Sequence, residues 1–292
     1  MKKTGLVIVA IATLFACKKS ERLQENAYEP LDSFYDMYEE EVQEFIIDSV
    51  GEGPIVGEQG TNAYVGAQIF MMPDGSDVEY PFKLQMVEIY EKDQMMLSRA
   101  PSAFNTTTAL ITGGMVSIRA FKDTTELVLR PGAVIPLKYP EKHGQSTVMT
   151  HYYGERGADH VLDLMENVAN EATLDSLFYH VYADRVGFSS PSRAHATGAS
   201  QFLITLSVQG TGTENIAKYV VYNNTHTVLK IRDVMSSGIN EGTSVKLVCF
   251  AKNQDGEFLL HEEDLEMNAN KNVELNFQTV TEADLIATLE AY

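Results

Sequence analysis

Side chains that could act together in catalysis are scattered along this 292-residue chain rather than gathered in one motif. Ser189 and Asp184 lie close in sequence, and His151, His160, His180 and His195 surround them at a distance. A serine nucleophile needs a histidine base within hydrogen-bond reach and an acid to orient that base. His151 and His160, or His180 and His195, can converge on Asp184 and Ser189 only through the fold. The sequence contains no Gly-x-Ser-x-Gly elbow, no His-Glu-x-x-His, no phosphate-binding glycine loop and no Cys-x-x-Cys pair. No catalytic residue is assigned on this basis.

Other candidates are weighed in the same way. His261-Glu262-Glu263-Asp264 sets oxygen donors beside an imidazole but lacks the spacing of a calcium loop, which predicts a solvated turn or strand edge. Met71-Met72 and Met95-Met96 offer soft sulfur, yet adjacent residues on a strand point apart and Met commonly fills cores. Tyr152, Tyr153, Tyr179, Tyr182, Tyr219 and Tyr222 are expected to pack in sheets, with exposed tyrosines suited to sugars or protein interfaces. Cys249 sits in the apolar run Val245–Phe250, which reads as a buried strand with a packed thiol. No metal, cofactor or disulfide is expected.

The N-terminus speaks of location. Lys2 and Lys3 precede an apolar stretch from Leu6 to Phe15, too short for a bilayer core that needs about 20 residues. Leu14-Phe15-Ala16-Cys17 resembles the bacterial lipobox, in which the cysteine is lipidated and becomes the first mature residue. The resemblance implies a lipoprotein signal peptide at 1–16 and membrane attachment through a lipid on Cys17. Lys18 follows it, where an Asp marks inner-membrane retention in enterobacteria, so the resemblance implies the outer membrane. Lys19-Ser20-Glu21 matches the acidic surface-export signal of Bacteroidota weakly, leaving cell surface and periplasmic face both open. Loss of residues 1–16 leaves 20 basic against 41 acidic residues, a net charge of about −21. That balance disfavours nucleic acid and favours cationic or neutral partners.

Those side chains must be positioned by β-structure. Residues 17–41 form an acidic tether, in which Leu31, Phe34, Tyr35 and Tyr38 recur at helical spacing after Pro30. A short helix capped by Asp32 or Ser33 and packed on the first domain is expected. From Val42 onward, short apolar runs alternate with Gly, Pro, Asn and Asp as in an all-β protein. Strands are predicted near 45–47, 62–65, 81–90, 114–121, 126–129 and 134–138, with Val116, Ile118 and Ala120 on the buried face. Pro136, Pro140 and the polar run 141–145 predict a hinge between a first domain at 42–140 and a second at 146–292. The second domain is expected to hold strands near 148–153, 178–182, 201–208, 218–221, 227–231, 244–251, 258–260 and 273–277. Residues 158–170 fit helix or strand. Thr281-Glu282-Ala283-Asp284 opens a C-terminal helix.

Several motifs occur in an order that is similar to secreted or lipidated Bacteroidota β-sandwich proteins. They are Gly57-Glu58-Gln59-Gly60-Thr61, Val87-Glu88-Ile89-Tyr90 with Asp93 and Met95, Thr112-Gly113-Gly114-Met115 and Leu127–Gly132. Tyr153-Gly154-Glu155-Arg156 and Asp184-Arg185-Val186-Gly187-Phe188 follow. That family resembles the sandwich domain of netrin receptors, ankyrins and zonula occludens, and its function is largely unknown. The resemblance spans about 45–290 and implies a sandwich fold without supplying a catalytic residue. Where its relatives carry Trp and Cys after the glycine, this chain has Phe188-Ser189-Ser190-Pro191 and no Trp at all. Some domains of the class cleave themselves at His-Phe-Ser, but Gly187 stands at the histidine position here. Asp48-Ser49-Val50, Asp123-Thr124-Thr125 and Asp175-Ser176-Leu177 resemble the Bacteroidota O-glycosylation sequon.

The expected fold is therefore all-β, with two sandwich-like domains, a short N-terminal helix and a C-terminal helix. The expected function is that of an outer-membrane lipid-anchored, non-catalytic binding or structural protein whose partner is an envelope protein or glycan. A subunit that pairs its sheet edges with another protein is a further form of this class. The rival is an envelope hydrolase acting on glycan or peptide, which requires two carboxylates facing each other in a groove.

Overall fold

A computed structural model describes residues 28–49, 53–105, 107–144, 148–196, 198, 200–208 and 215–292. Residues 1–27, where a signal peptide, the lipidated Cys17 and part of a tether are expected, lie outside the described residues. The fold is all-β, with α1 (Asp32–Tyr38), α2 (Lys92–Leu97) and α3 (Glu282–Leu289) as its α-helices among the described residues.

Alternation builds the first sandwich. Phe82, Leu84 and Met86 of the Phe82–Ile89 strand and Val116, Ile118 and Ala120 of Met115–Lys122 turn the same way into one core. Their layer runs Gln43–Ile47, Phe82–Ile89, Met115–Lys122, Gly187–Ala194, Met149–Arg156 and Leu162–Leu174, all neighbours antiparallel. The opposing layer is Phe178–Ala183 beside Ile135–Pro140, and it contributes Ile135, Leu137, Tyr139, Tyr179 and Val181 to the same core. Leu162–Leu174 serves both layers: Leu162–Glu166 pairs with Arg156–Tyr152, and Thr173 and Leu174 pair with His180 and Tyr179. Of the segment 158–170 that fits helix or strand by sequence, residues 162–170 are strand and 158–160 form a turn.

The second sandwich is built on Ala217–Tyr222, Val228–Lys230, Thr243–Asn253, Phe258–Met267 and Gln278–Val280. Val220, Tyr222, Leu247, Cys249 and Met267 face Ile204, Leu206 and Val273 from the parallel pair Ile204–Ser207 and Lys271–Glu274. The opposite face of the same sheet carries Tyr219, Val248 and Phe250 into a middle core. That core also receives α1, α2, α3 and Ile89, Met115, Leu162 and Leu164 of the first sandwich.

Two expectations are corrected here. The hinge expected at 141–145 does not separate two sheets, since described strands on both sides of it pair in one 13-stranded sheet. The strand pairing of the two large sheets separates near residue 200 instead. Pro136 and Pro140 misled because proline removes one donor without ending an extended strand, and both pair within Ile135–Pro140. α1 meets the first domain as expected, with Arg99 4.8 Å over the Tyr35 ring, and also packs on the second sandwich, with the Phe34 ring 5.8 Å from Phe250 and 5.2 Å from Phe258. The cap also differs, because Leu31 is the N-cap without a side-chain bond and Asp32 is spent on Arg99. The C-terminal helix starts as expected, with Thr281 accepting from the Asp284 amide. No helix among the described residues is long and apolar enough to cross a membrane.

Candidate functional site

The sequence candidates converge in one place. His151 comes from Met149–Arg156 and Ser189 from Gly187–Ala194, neighbours in register at Tyr153↔Ser189, and His151 Nε2 lies 2.7 Å from Ser189 Oγ. That is the distance of a nucleophile and its base. The surroundings differ from those of a triad. The Asp184 carboxylate accepts from Tyr153 Oη at 2.6 Å, and Arg185 lies 4.1 Å over the Tyr153 ring, so the acid is taken by tyrosine. His151 Nδ1 is buried without a partner, so nothing fixes the tautomer a base requires.

Burial decides what this pair can do. His151 is 0% and Ser189 2% exposed, and the histidine is pushed down to about 4 by burial, with the Asp184 charge acting the other way. Neither side chain lines the surface grooves that the neighbouring Gly187 and Phe188 help to form. The Phe188–Ser189 bond itself sits in a strand paired on both sides. His160, His180 and His195 do not join them. His160 is exposed, His180 pairs with Asp175 at 2.6 Å, and His195 meets Thr227 Oγ1 at 2.9 Å.

The motif residues brace the fold. Glu88, 1% exposed, accepts from the backbone amides of Gln59 at 2.8 Å and Thr61 at 2.9 Å and from the Gln43 amide at 2.9 Å. Tyr90 Oη meets Thr61 Oγ1 at 2.8 Å. A side chain at Gly57 would collide with Glu88, and one at Gly114, φ +121°, with Tyr90. Arg156 lies 5.3 Å over the Phe188 ring. Met95 and Met96 are wholly buried in the middle core, and five of the six clustered tyrosines are buried while Tyr182 is half exposed. Within the Phe258–Met267 strand, Glu262 accepts from Tyr292, Glu263 approaches His261 at 3.7 Å, and Asp264 pairs with Lys246 at 3.1 Å. Burial pushes the Cys249 thiol up, away from reactivity. The described parts of all three glycosylation-like triplets lie at exposed positions.

Open grooves are where a ligand can reach. One of about 410 Å³ lies on the outer face of the first sandwich, between Gln85, Arg119, Arg156, Phe188, Glu39 and Glu40. Its two acids are sequence neighbours following α1, not groups from opposing walls. Glu40 is raised to about 7, chiefly by burial and then by Asp93, with Glu88 and Glu41 adding to the rise. A second groove, of about 300 Å³, lies where α1 meets the second sandwich. Arg99, Lys218, Lys230 and Arg232 line it against only Asp32 and Asp159, in a chain of 22 basic and 41 acidic residues. The sequence reading missed this groove. Its one legible signal was Lys230-x-Arg232, a spacing that puts two cations on one side of an extended chain. Compared with known proteins, the chain matches no family model, no curated protein and no solved structure.

Proposed function

We propose that this chain is an outer-membrane lipoprotein, anchored through a lipid on Cys17, that binds an envelope protein or glycan without catalysing a reaction. The observation that carries the reading is the separation of chemistry from access. The serine–histidine pair is sealed inside a sandwich, whereas the charged grooves at α1 and on the outer face of the first sandwich are open and do not include it. The lipobox resemblance at Leu14–Cys17 supports the anchor, and the acidic composition argues against nucleic acid.

The test is saturable binding of the full-length protein, in detergent, to fractionated envelope proteins and glycans. Saturation by one fraction supports the reading, and failure with every fraction contradicts it. Palmitate labelling that disappears in Cys17→Ala tests the anchor, and proteinase K treatment of intact against lysed cells tells the cell surface from the periplasmic face. The hydrolase reading has one observation in its favour, since Glu40 near 7 stands in the range of a general acid at the rim of a groove. Turnover of an envelope glycan or peptide that Glu40→Gln abolishes would replace the binding reading.

A further inference from the structure

The sign of the charge in the α1 groove runs against that of the chain. Four basic residues meet two acidic ones there, although acids outnumber bases nearly twofold overall. Asp36 and Asp163, beside the groove, bring the acids to four, and all four are directed at the two guanidiniums, none at Lys230. Asp159 pairs with Arg232 at 3.2 Å, and Asp163 takes the other arm of the same guanidinium at 2.9 Å. Asp32 and Asp36 approach Arg99 at 3.1 and 3.9 Å while remaining 72% and 70% exposed. Lys230 forms no salt bridge among the described residues. Burial holds its ammonium down to about 8, with Asp159 opposing and Arg232, Arg99 and Lys218 adding to the depression. A cation kept under-compensated at a concave surface is the arrangement an incoming anion relieves.

The frame around these charges is rigid. Arg99 is 7% exposed, carries a φ of +50°, lies 4.8 Å over the Tyr35 ring and has an Nε–H without a partner. Lys218, 3% exposed, donates to the Arg232 and Asp233 carbonyls at 3.2 and 2.6 Å, which fixes the backbone that presents Arg232. The Ile231 amide donates to the Lys218 carbonyl at 2.8 Å, tying the Lys230–Arg232 segment to the neighbouring strand. The donors are thus set before any ligand arrives, which lowers the ordering cost of binding.

Building on the binding reading above, the geometry points to an oxyanion site in this groove, with Arg99, Lys230 and Arg232 as its charged donors and Lys218 as the residue that positions Arg232. The ligand class is a small molecule or terminal group bearing a carboxylate, sulfate or phosphate. Guanidinium forks match the planar or tetrahedral oxygens of such groups, and the ammonium adds a compact charge. A volume near 300 Å³ holds a group of roughly monosaccharide size.

Calorimetry on the full-length protein in detergent at low salt tests the site, with inorganic phosphate, inorganic sulfate and glucuronate as probes and glucose as the neutral control. Saturable binding of at least one oxyanion, none of glucose, and a weakening of about tenfold in Lys230→Gln and in Arg232→Gln are expected, the loss typical of one charge-assisted hydrogen bond. Lys83→Gln, which removes a lysine paired with Glu44 on the first sandwich, leaves affinity unchanged. Preference for glucuronate identifies an acidic glycan as the source of the anion, and preference for phosphate a phosphorylated ligand. Absence of saturable binding by all three probes overturns the site, as does binding that neither groove variant weakens. If envelope binding persists when the oxyanions fail, the site falls and the binding reading stands; if oxyanions bind and every envelope fraction fails, the reverse holds.

Discussion

The His151–Ser189 pair and the α1 groove are both polar clusters at the junction of secondary-structure elements, yet they use polarity in opposite ways. In the first, one donor–acceptor pair is enclosed at 0% and 2% exposure, and its neighbour Asp184 is satisfied by Tyr153. In the second, two arginines are paired with aspartates at a concave surface, and Lys230 beside them forms no salt bridge among the described residues. Polarity closed off from solvent serves the fold, whereas polarity open to solvent can meet a ligand. A short nucleophile–base distance therefore says little until access is known.

The largest effect that sharpens this contrast belongs to the bracing side. Glu88→Ala removes the acceptor for two backbone amides of the 57–61 loop and is expected to cost about 3–5 kcal/mol, read by urea unfolding. His151→Ala, which leaves a cavity and an unpaired Ser189 hydroxyl, is expected to cost about 2–4 kcal/mol. A neutral result at His151 would break the claim that the pair serves the fold.

Acid comes next. His151 and His195 are held down to about 4 and His226 to about 3, chiefly by burial in each case, with His143 adding to the depression at His226. Their unfolded forms protonate near the ordinary histidine range, about 6.5, while the folded forms stay neutral. Stability is thus intact above that range, falls as pH drops through it toward about 4, and levels off below the folded values. Glu40, raised to about 7, acts in the other direction and offsets part of the loss. Melting temperatures at pH 7.5, 5.5 and 4.5 should show this decline, and His226→Gln, which keeps a donor for the Tyr90 carbonyl, should flatten it.

The groove predicts the smallest change in stability. Lys230→Met is expected to leave stability unchanged or raise it by about 1 kcal/mol at pH 7, because a half-buried cation held near 8 is costly to keep charged. The wild-type protein should gain stability between about pH 8 and the ordinary lysine range, where the unfolded chain binds the proton more tightly, and the variant should lose that gain. A destabilised Lys230→Met would recast the groove as structural bracing.

Much of the fold was legible because strand alternation and turn residues are local signals. The buried face of Val116, Ile118 and Ala120 and the capped start of α3 both follow from a few neighbouring residues. The Gly187–Ala194 strand was not legible, since Ser189, Ser190, Pro191 and Ser192 read as loop, although the strand is central and its serines are buried. α2 escaped for a different reason: its capping box pairs Glu91 with Gln94, and the segment is only Lys92–Leu97. The candidate residues His151 and Ser189 were legible as types, but their contact depends on a long-range register. The groove draws Arg99 from beyond α2, Lys218 and Lys230 from adjacent strands, and Asp32 from α1, so only Lys230 and Arg232 left a trace in the sequence.

The central claim is that the open surface binds and the enclosed serine does not react. The direct measurement is envelope binding by three proteins side by side: wild type, Ser189→Ala, and Lys230→Gln combined with Arg232→Gln, each checked for an intact full-length band after long incubation. The account predicts that wild type and Ser189→Ala bind alike, that the groove variant binds more weakly, and that no protein cleaves itself. Loss of binding or of self-cleavage on removing the Ser189 hydroxyl from a folded protein, with the groove variant unaffected, would contradict it.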